Sequence, residues 1–387
     1  MKVLLVTHIF PPAIDGGSKI IAKIGESLAN HHHQILVLTS NCSSTDDFVN
    51  PKAAPIKSSD LNIIRLPVYR HLRRPFKLLS LFSDFFSIFQ LGPAFKFIPF
   101  LKSLIYISRF HPDIIIAGPL PTTIVLYARF FRLITRSKLV ILPCFHENDP
   151  GFLKKPLIQV LRKSDLILTL TNHEKTILNH HCFVLGAGVD QSFLINPKNI
   201  TFPKYSNILF LGNFAAHKGV DTLIAAFSKL SPANPNLTLT LAGQKTLYYP
   251  VIQKQLDCLS SSIKQKITII PKLYNQNRLK LYLDSCSLLV LPSIHESFGL
   301  VFIESWARGK PVIGADIPPV SELIHKTAGG LLFLPESQID LAKKISVLLS
   351  QPSRLARLGL NGHQYVTNHF TWDKIGQRLC TKLSPLS

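Results

Sequence analysis

Glu296 and Glu304 stand eight positions apart in Ser293–Trp306, SIHESFGLVFIESW, and bracket a Phe298-Gly299 step. The pair follows an apolar run from Ser287 to Leu291 that has the length and sharp ends of a buried parallel strand. Proline and serine break that run, and the residues after them read as a helix start. A strand, a glycine-containing turn and a helix N-terminus bring backbone N–H groups and the positive end of a helix dipole to one point. Anions bind at such a point, phosphates above all. Glu296 is expected in the turn and Glu304 about two turns down the helix. The first carboxylate then reaches the hydroxyl-rich end of a ligand while the second reaches another part of it. Spacing alone leaves a plainer alternative open, in which Glu296 caps the helix and Glu304 is a solvated surface carboxylate.

The elements that must hold these residues alternate along the chain. In the first half, strands are expected at Val3–Thr7, Ile35–Thr39, Asn62–Leu66, Asp113–Ala117, Lys138–Leu142, Leu166–Leu170 and Cys182–Leu185. Helices are expected at Ser18–Asn30, Thr122–Leu133, Leu153–Arg162 and His173–Asn179. The pattern restarts at Asn207–Leu211 after a loop holding Pro197 and Pro203, and runs on through Leu237–Leu241, Ile267–Ile270, Leu288–Leu291 and Val312–Gly314. Short β-rich runs alternating with helical pattern argue for α/β architecture: two Rossmann-like, doubly wound parallel-sheet domains. With 387 residues the chain suits two such domains. The expected division is 1–200, 201–368 and a closing helical segment in 369–387. Ligands of such sheets bind outside the carboxyl ends of the strands, where the strand order switches.

The Ser293–Trp306 stretch, continued by Gly309-Lys-Pro-Val-Ile-Gly-Ala-Asp316 and Glu322-Leu-Ile324, resembles the donor-site signature of retaining GT-B glycosyltransferases of family 4. The resemblance implies two sheets facing each other across a cleft, an N-terminal acceptor-binding domain and a C-terminal nucleotide-sugar donor-binding domain. In this fold the last helix, here from about Trp372 to Leu383, crosses back to the first domain. It also implies roles: Glu296 contacts the transferred sugar, Glu304 binds the ribose hydroxyls, and the backbone of Phe298, Gly299 and Leu300 holds the diphosphate.

Other segments join the same pattern. Phe10-Pro-Pro-Ala-Ile-Asp-Gly-Gly17 follows the first strand, with Ser18 as a fair N-cap, and Gly16 and Gly17 match a loop that approaches donor and acceptor. It is not the G-x-G-x-x-G of a dinucleotide fold, which argues against a dehydrogenase. Phe210-Leu-Gly-Asn-Phe-Ala-Ala-His-Lys-Gly-Val-Asp221 resembles the opening of the family's second domain, where an arginine and a lysine grip the pyrophosphate. Lys218 matches the lysine. Asn213, just after Gly212, stands where the arginine is expected, so a hydrogen-bond donor replaces a bidentate cation. His146 matches a histidine near the donor sugar, and Gly186-Ala-Gly-Val-Asp190 resembles a turn leading into the linker.

The activity implied is retaining, metal-independent hexosyl transfer from a UDP- or GDP-sugar to a lipid-linked or surface-polysaccharide acceptor, as in lipopolysaccharide biosynthesis, with no cofactor. Glu296, His146 and Lys218 are the expected catalytic residues. Two rivals remain: a non-hydrolysing nucleotide-sugar epimerase, and a nucleotide-sugar-binding partner without catalysis, motivated by Asn213.

Composition narrows the setting. The formal charge is +21. Between Lys52 and Lys138 fourteen basic residues face three acids, Asp60, Asp84 and Asp113. Arg70-His-Leu-Arg-Arg-Pro-Phe-Lys77 lies inside this region, followed by the aromatic-rich tracts Leu78–Phe89 and Phe95–Leu101. Basic residues beside aromatic and leucine side chains suit an anionic membrane surface, so residues 69–107 are expected to lie on a membrane. Asp84, Gly92-Pro93, Lys96 and Pro99 keep the apolar runs below the ~20 residues needed to span one. The alternative is a core helix with a solvated basic loop. Nucleic acid is not an expected partner, since no recognition motif accompanies the charge. Six scattered cysteines, without C-x-x-C or zinc spacing, fit a reducing compartment. Met1-Lys2 leads straight into a strand-like run with no secretory pattern, so the expected location is cytoplasmic, peripheral at the inner membrane face. His31-His-His33 has no neighbouring thiol or carboxylate cluster and is not expected to bind metal.

Overall fold

The computed structural model describes residues 1–12, 16–42, 61–69, 93–145, 150–204, 206–271 and 276–386. The chain divides into two compact units, Met1–Ala187 with Trp372–Ser387, and Gly188–Thr371. The division lies ahead of the proline loop near residue 200, so that loop belongs to the second unit.

The first unit is built on a seven-stranded sheet ordered β3-β2-β1-β4-β5-β6-β7, parallel at every pairing. Its strands are β1 (Lys2–Val6), β2 (Gln34–Ser40), β3 (Asn62–Leu66), β4 (Ile114–Ala117), β5 (Lys138–Ile141), β6 (Leu166–Thr169) and β7 (Cys182–Val184). Runs such as Ile114-Ile-Ile-Ala117 are buried at every position, as strands covered on both faces must be. Between them run α1 (Gly16–Asn30), α2 (Phe97–Phe110), α3 (Ile124–Thr135), α4 (Lys155–Arg162) and α5 (Asn172–Leu178). Because α1 begins at Gly16, Ser18 sits in its first turn with its side chain buried, and is not an N-cap. Helix α14 (Trp372–Leu383) packs on α1. Ser27 Oγ donates to the Trp372 carbonyl at 3.0 Å, and Gly376 lets the two helices close up, since a Cβ there would lie 1.8 Å from Ser27 Oγ.

The second unit carries a six-stranded parallel sheet ordered β10-β9-β8-β11-β12-β13. Its strands are β8 (Asn207–Leu211), β9 (Thr238–Gly243), β10 (Ile267–Pro271), β11 (Leu288–Leu291), β12 (Val312–Ala315) and β13 (Gly330–Phe333). The helices are α6 (Val220–Leu230), α7 (Tyr249–Asp257), α8 (Ser261–Lys264), α9 (Gln276–Ser285), α10 (Leu300–Ala307), α11 (Pro318–Thr327), α12 (Gln338–Leu349) and α13 (Pro352–His369). The segment before β8 is clasped to this unit. Arg308 grips Asp284 through two bonds of 2.7 Å and donates to the Phe193 carbonyl at 3.1 Å. Lys310, 1% exposed, donates to the carbonyls of Thr201 and Asp284 at 2.5 and 2.9 Å. Burial pulls its ammonium below the ordinary lysine value.

Candidate functional site

In the second sheet the strand order reverses between β8 and β11. The loops leaving two such strands turn to opposite sides and open a crevice at the strands' carboxyl ends. The two segments singled out in the sequence are these loops: Gly212–Gly219 after β8, and Pro292–Gly299 after β11.

Glycines allow the loops to approach. Gly219 has φ +62° and precedes α6, and a Cβ on it would lie 2.3 Å from the Pro292 carbonyl oxygen. Any side chain at 219 would therefore push the two loops apart. On the other flank, a Cβ on Gly243 would lie 1.6 Å from the Gly212 carbonyl oxygen, so the loops after β8 and β9 also run in contact. Gly212 N–H donates to the Ala242 carbonyl at 3.0 Å and Phe214 N–H to the Gln244 carbonyl at 2.9 Å, extending the sheet ladder past the strand ends. Ile294 N–H donates to the His217 carbonyl at 2.9 Å and ties the β11 loop to the β8 loop.

This backbone frame sets one charge pair. Lys218 Nζ donates to Glu296 Oε1 at 2.5 Å, with the two side chains 20% and 10% exposed. The residues lie far apart in sequence and meet only because β8 and β11 are neighbours. A paired ammonium still has two further protons to offer an anion. Phe298 is buried, and its ring meets Phe370 edge-on at 5.6 Å. Gly299 follows with φ +88°, closing the turn into α10, whose first amides start at Leu300. The helix begins later than the sequence pattern predicts, so Glu304 stands about one turn into it rather than two. Glu304 is 6% exposed, which removes the solvated-carboxylate alternative. Nor does Glu296 cap α10: the cap position is Gly299, with no side-chain cap bond. Helix α10 packs on α13, where Gly362 sits against Trp306 and the indole N–H donates to the Gly329 carbonyl at 2.8 Å.

Gly212, Asn213, Lys218, Glu296, Phe298, Gly299 and Leu300 are thus gathered at one switch point, with Glu304 a turn below. Asn213 is exposed. Gly16 and Gly17 belong to the first unit, where they open α1 after β1, beside that sheet's own switch between β1 and β4. His146 lies outside the described residues.

One polar residue of the first unit was not singled out from sequence. Glu174 is 3% exposed, and its carboxylate accepts Phe145 N–H at 2.9 Å and Leu170 N–H at 2.6 Å. It therefore fixes the chain leaving β5 against the chain leaving β6. Burial raises its carboxyl to about 7 against the pull of the amides it accepts from. Thr171 Oγ1 accepts Glu174 N–H at 3.1 Å, so Thr171-Asn-His-Glu174 is a capping-box pattern that the sequence displays.

Residues 193–365 match the family Glycosyl transferases group 1. An uncharacterized glycosyltransferase of Methanocaldococcus jannaschii is 29% identical over 54% of this chain and 57% of its own length. The chain thus spans little more than half of that relative. A glycogen synthase of Mycobacterium tuberculosis is 24% identical over 97% of this chain and 92% of its own length. Among solved structures, Anabaena HepE in complex with UDP-glucose superposes with a TM-score of 0.73 over the full length of both chains at 16% identity, a likeness of fold.

Proposed function

Because the chain belongs to the glycosyl transferases group 1 family, family 4, and has the GT-B fold, we propose that it is a retaining hexosyltransferase. It takes its sugar from a UDP- or GDP-sugar and delivers it to a lipid-linked or surface-polysaccharide acceptor. The Lys218–Glu296 pair beside the start of α10 is the observation that carries this reading.

Cleavage of a nucleotide-sugar bond leaves a diphosphate, and its growing negative charge needs fixed positive groups. Lys218 and the first amides of α10 supply them from the protein itself. Glu296, held at its Oε1 by Lys218, orients the sugar. It need not be a nucleophile, because in same-face attack the acceptor oxygen takes the anomeric carbon directly, unlike the carboxylate pair of a retaining glycosidase. The acceptor oxygen attacks the anomeric carbon on the face the diphosphate leaves. The bond from anomeric carbon to phosphate oxygen breaks as the new glycosidic bond forms, and the acceptor proton passes to the departing phosphate oxygen. Glu304 takes the ribose hydroxyls, and His146 with the Gly16-Gly17 turn serves the sugar and acceptor side.

Asn213 supports a second reading, in which the chain binds a nucleotide-sugar and transfers nothing. A thermal-shift panel of UDP- and GDP-sugars, beginning with UDP-glucose, tests the site on wild type and Glu304→Ala. A ligand at 100 times its Kd adds about 2.7 kcal/mol, which moves a melt by several degrees. A shift with one nucleotide, weakened in the variant, is expected. No shift with any donor refutes the site, and a shift without sugar transfer to any offered glycan or lipid-linked acceptor favours the second reading.

A further inference from the structure

Helix α2 is apolar on both faces. Its inner face, with Phe100, Leu104, Ile107 and Phe110, packs on the core of the first unit. Phe100 sits within 5.3–6.1 Å of the Tyr127, Phe131 and Phe130 rings of α3. The outer face is not used for that packing. Phe97, Ile98, Leu101, Ile105 and Tyr106 are 63, 67, 43, 54 and 65% exposed. At about 100° per residue, Phe97, Leu101, Ile105 and Ile98 fall within an arc of about 100°.

The charged residues of α2 and its start have one sign. Lys96 precedes α2, and Lys102 and Arg109 are exposed along the margin of its outer arc. From residue 93 to 110 there are three Lys and Arg residues and no acid. A second copy of this chain, docked face to face, would bring like charges together. A protein partner's interface core would be depleted in lysine, whereas an anionic bilayer accepts rings and aliphatic groups at its acyl boundary and ammonium groups among its headgroups. Among the described residues no helix is long and apolar enough to cross a membrane. With 14 residues α2 is about 21 Å long, which suits lying in the interface plane.

We propose that the outer face of α2 docks the first unit on an anionic lipid bilayer. The basic run Arg70–Lys77 and the aromatic tract Leu78–Phe89 lie outside the described residues and carry no part of the proposal. The proposal does not depend on the donor site, because binding to vesicles needs no turnover.

Flotation of the full chain with phosphatidylcholine vesicles, with and without about 30% phosphatidylglycerol, tests it. Wild type should float with the anionic vesicles and be released by high salt. The variant Ile98→Gln/Leu101→Gln/Ile105→Gln should keep the wild-type melting temperature and lose about tenfold or more in partition. Lys102→Glu/Arg109→Glu should also be released, whereas Leu334→Gln/Ile339→Gln, equally exposed on the second unit, should float like wild type. Wild type that stays at the bottom overturns the proposal, as does a triple variant that floats unchanged or one that unfolds. Sedimentation velocity showing a dimer lost in the triple variant would assign the face to a second copy instead.

Discussion

Lys218→Met removes the ammonium and keeps most of its stem, so its effects isolate the charge. In the free protein it leaves the Glu296 carboxylate, 10% exposed, without the cation 2.5 Å away. Breaking a fully buried pair costs about 3–5 kcal/mol and an exposed one about 0–1, and residual solvent access places this pair at about 1–2. For a unit of this size that lowers Tm by roughly 3–6 °C. Glu296→Gln should cost less, about 1 kcal/mol, because Lys218 at 20% exposure reaches water more readily. The two losses should not add: with a coupling of about 1 kcal/mol the double variant should lose about 1–2 kcal/mol, no more than Lys218→Met alone. Binding separates the two roles. A charge-assisted bond to phosphate contributes about 1.5–3 kcal/mol, so Lys218→Met should weaken UDP or GDP roughly 10- to 150-fold and the matching sugar nucleotide by the same factor. Glu296→Gln should leave the free diphosphate as tight or tighter and weaken only the sugar nucleotide. Isothermal titration of all four proteins against both ligands measures this. Wild-type affinity for the diphosphate in Lys218→Met refutes the reasoning, and so does an equal loss for both ligands in Glu296→Gln.

Gly219→Ala places a Cβ 2.3 Å from the Pro292 carbonyl at a φ of +62°, and should cost about 2–4 kcal/mol. Its melt should fall by several degrees, while Gly16→Ala, whose Cβ meets nothing within 4 Å, should melt at or above wild type. Glu174 gives a pH dependence. Its carboxyl is raised to about 7 in the folded chain from an ordinary 4.5, so between these the folded state holds a proton the unfolded chain has lost. Stability should therefore fall as pH rises through that window, by up to about 3 kcal/mol, and Glu174→Gln should flatten the denaturant-midpoint profile there.

Much of the frame was legible because parallel strands buried on both faces leave unbroken apolar runs. Asn207–Leu211 and Leu288–Leu291 fall where the pattern sets them. Strand β13 was not legible, since Gly330-Leu-Leu-Phe333 is short and follows a second glycine. Helix α2 was hidden by Pro99, which reads as a breaker but sits in the first turn, where a missing N–H costs little. The motifs named Lys218 and Glu296 separately, and only the strand order brings them to 2.5 Å. The role of Gly219 was equally out of reach, because its neighbour is a carbonyl from the next loop in space. Glu174 was within reach as the fourth residue of a capping box. Its bonds to Phe145 and Leu170, which make it a fastener of two strand ends, depend on β5 lying beside β6.

The pairing also bears on the asparagine at 213. An arginine there would add a fixed cation to the β8 loop, whereas the loop as it stands brings Lys218 and no guanidinium. Lys218 is already neutralised by Glu296, so the pair presents little net charge to an arriving diphosphate. Two things then remain to favour an anion: the protons of the ammonium not used by Glu296, and the dipole and free amides at the start of α10. Both require the β8 and β11 loops to be held at their present separation, which is what Gly219 against Pro292 and Ile294 against His217 provide. A site short of one cation depends correspondingly more on the placement of its backbone. On the proposed function, the glycines that set the placement are part of the binding machinery on the same footing as the charged residues.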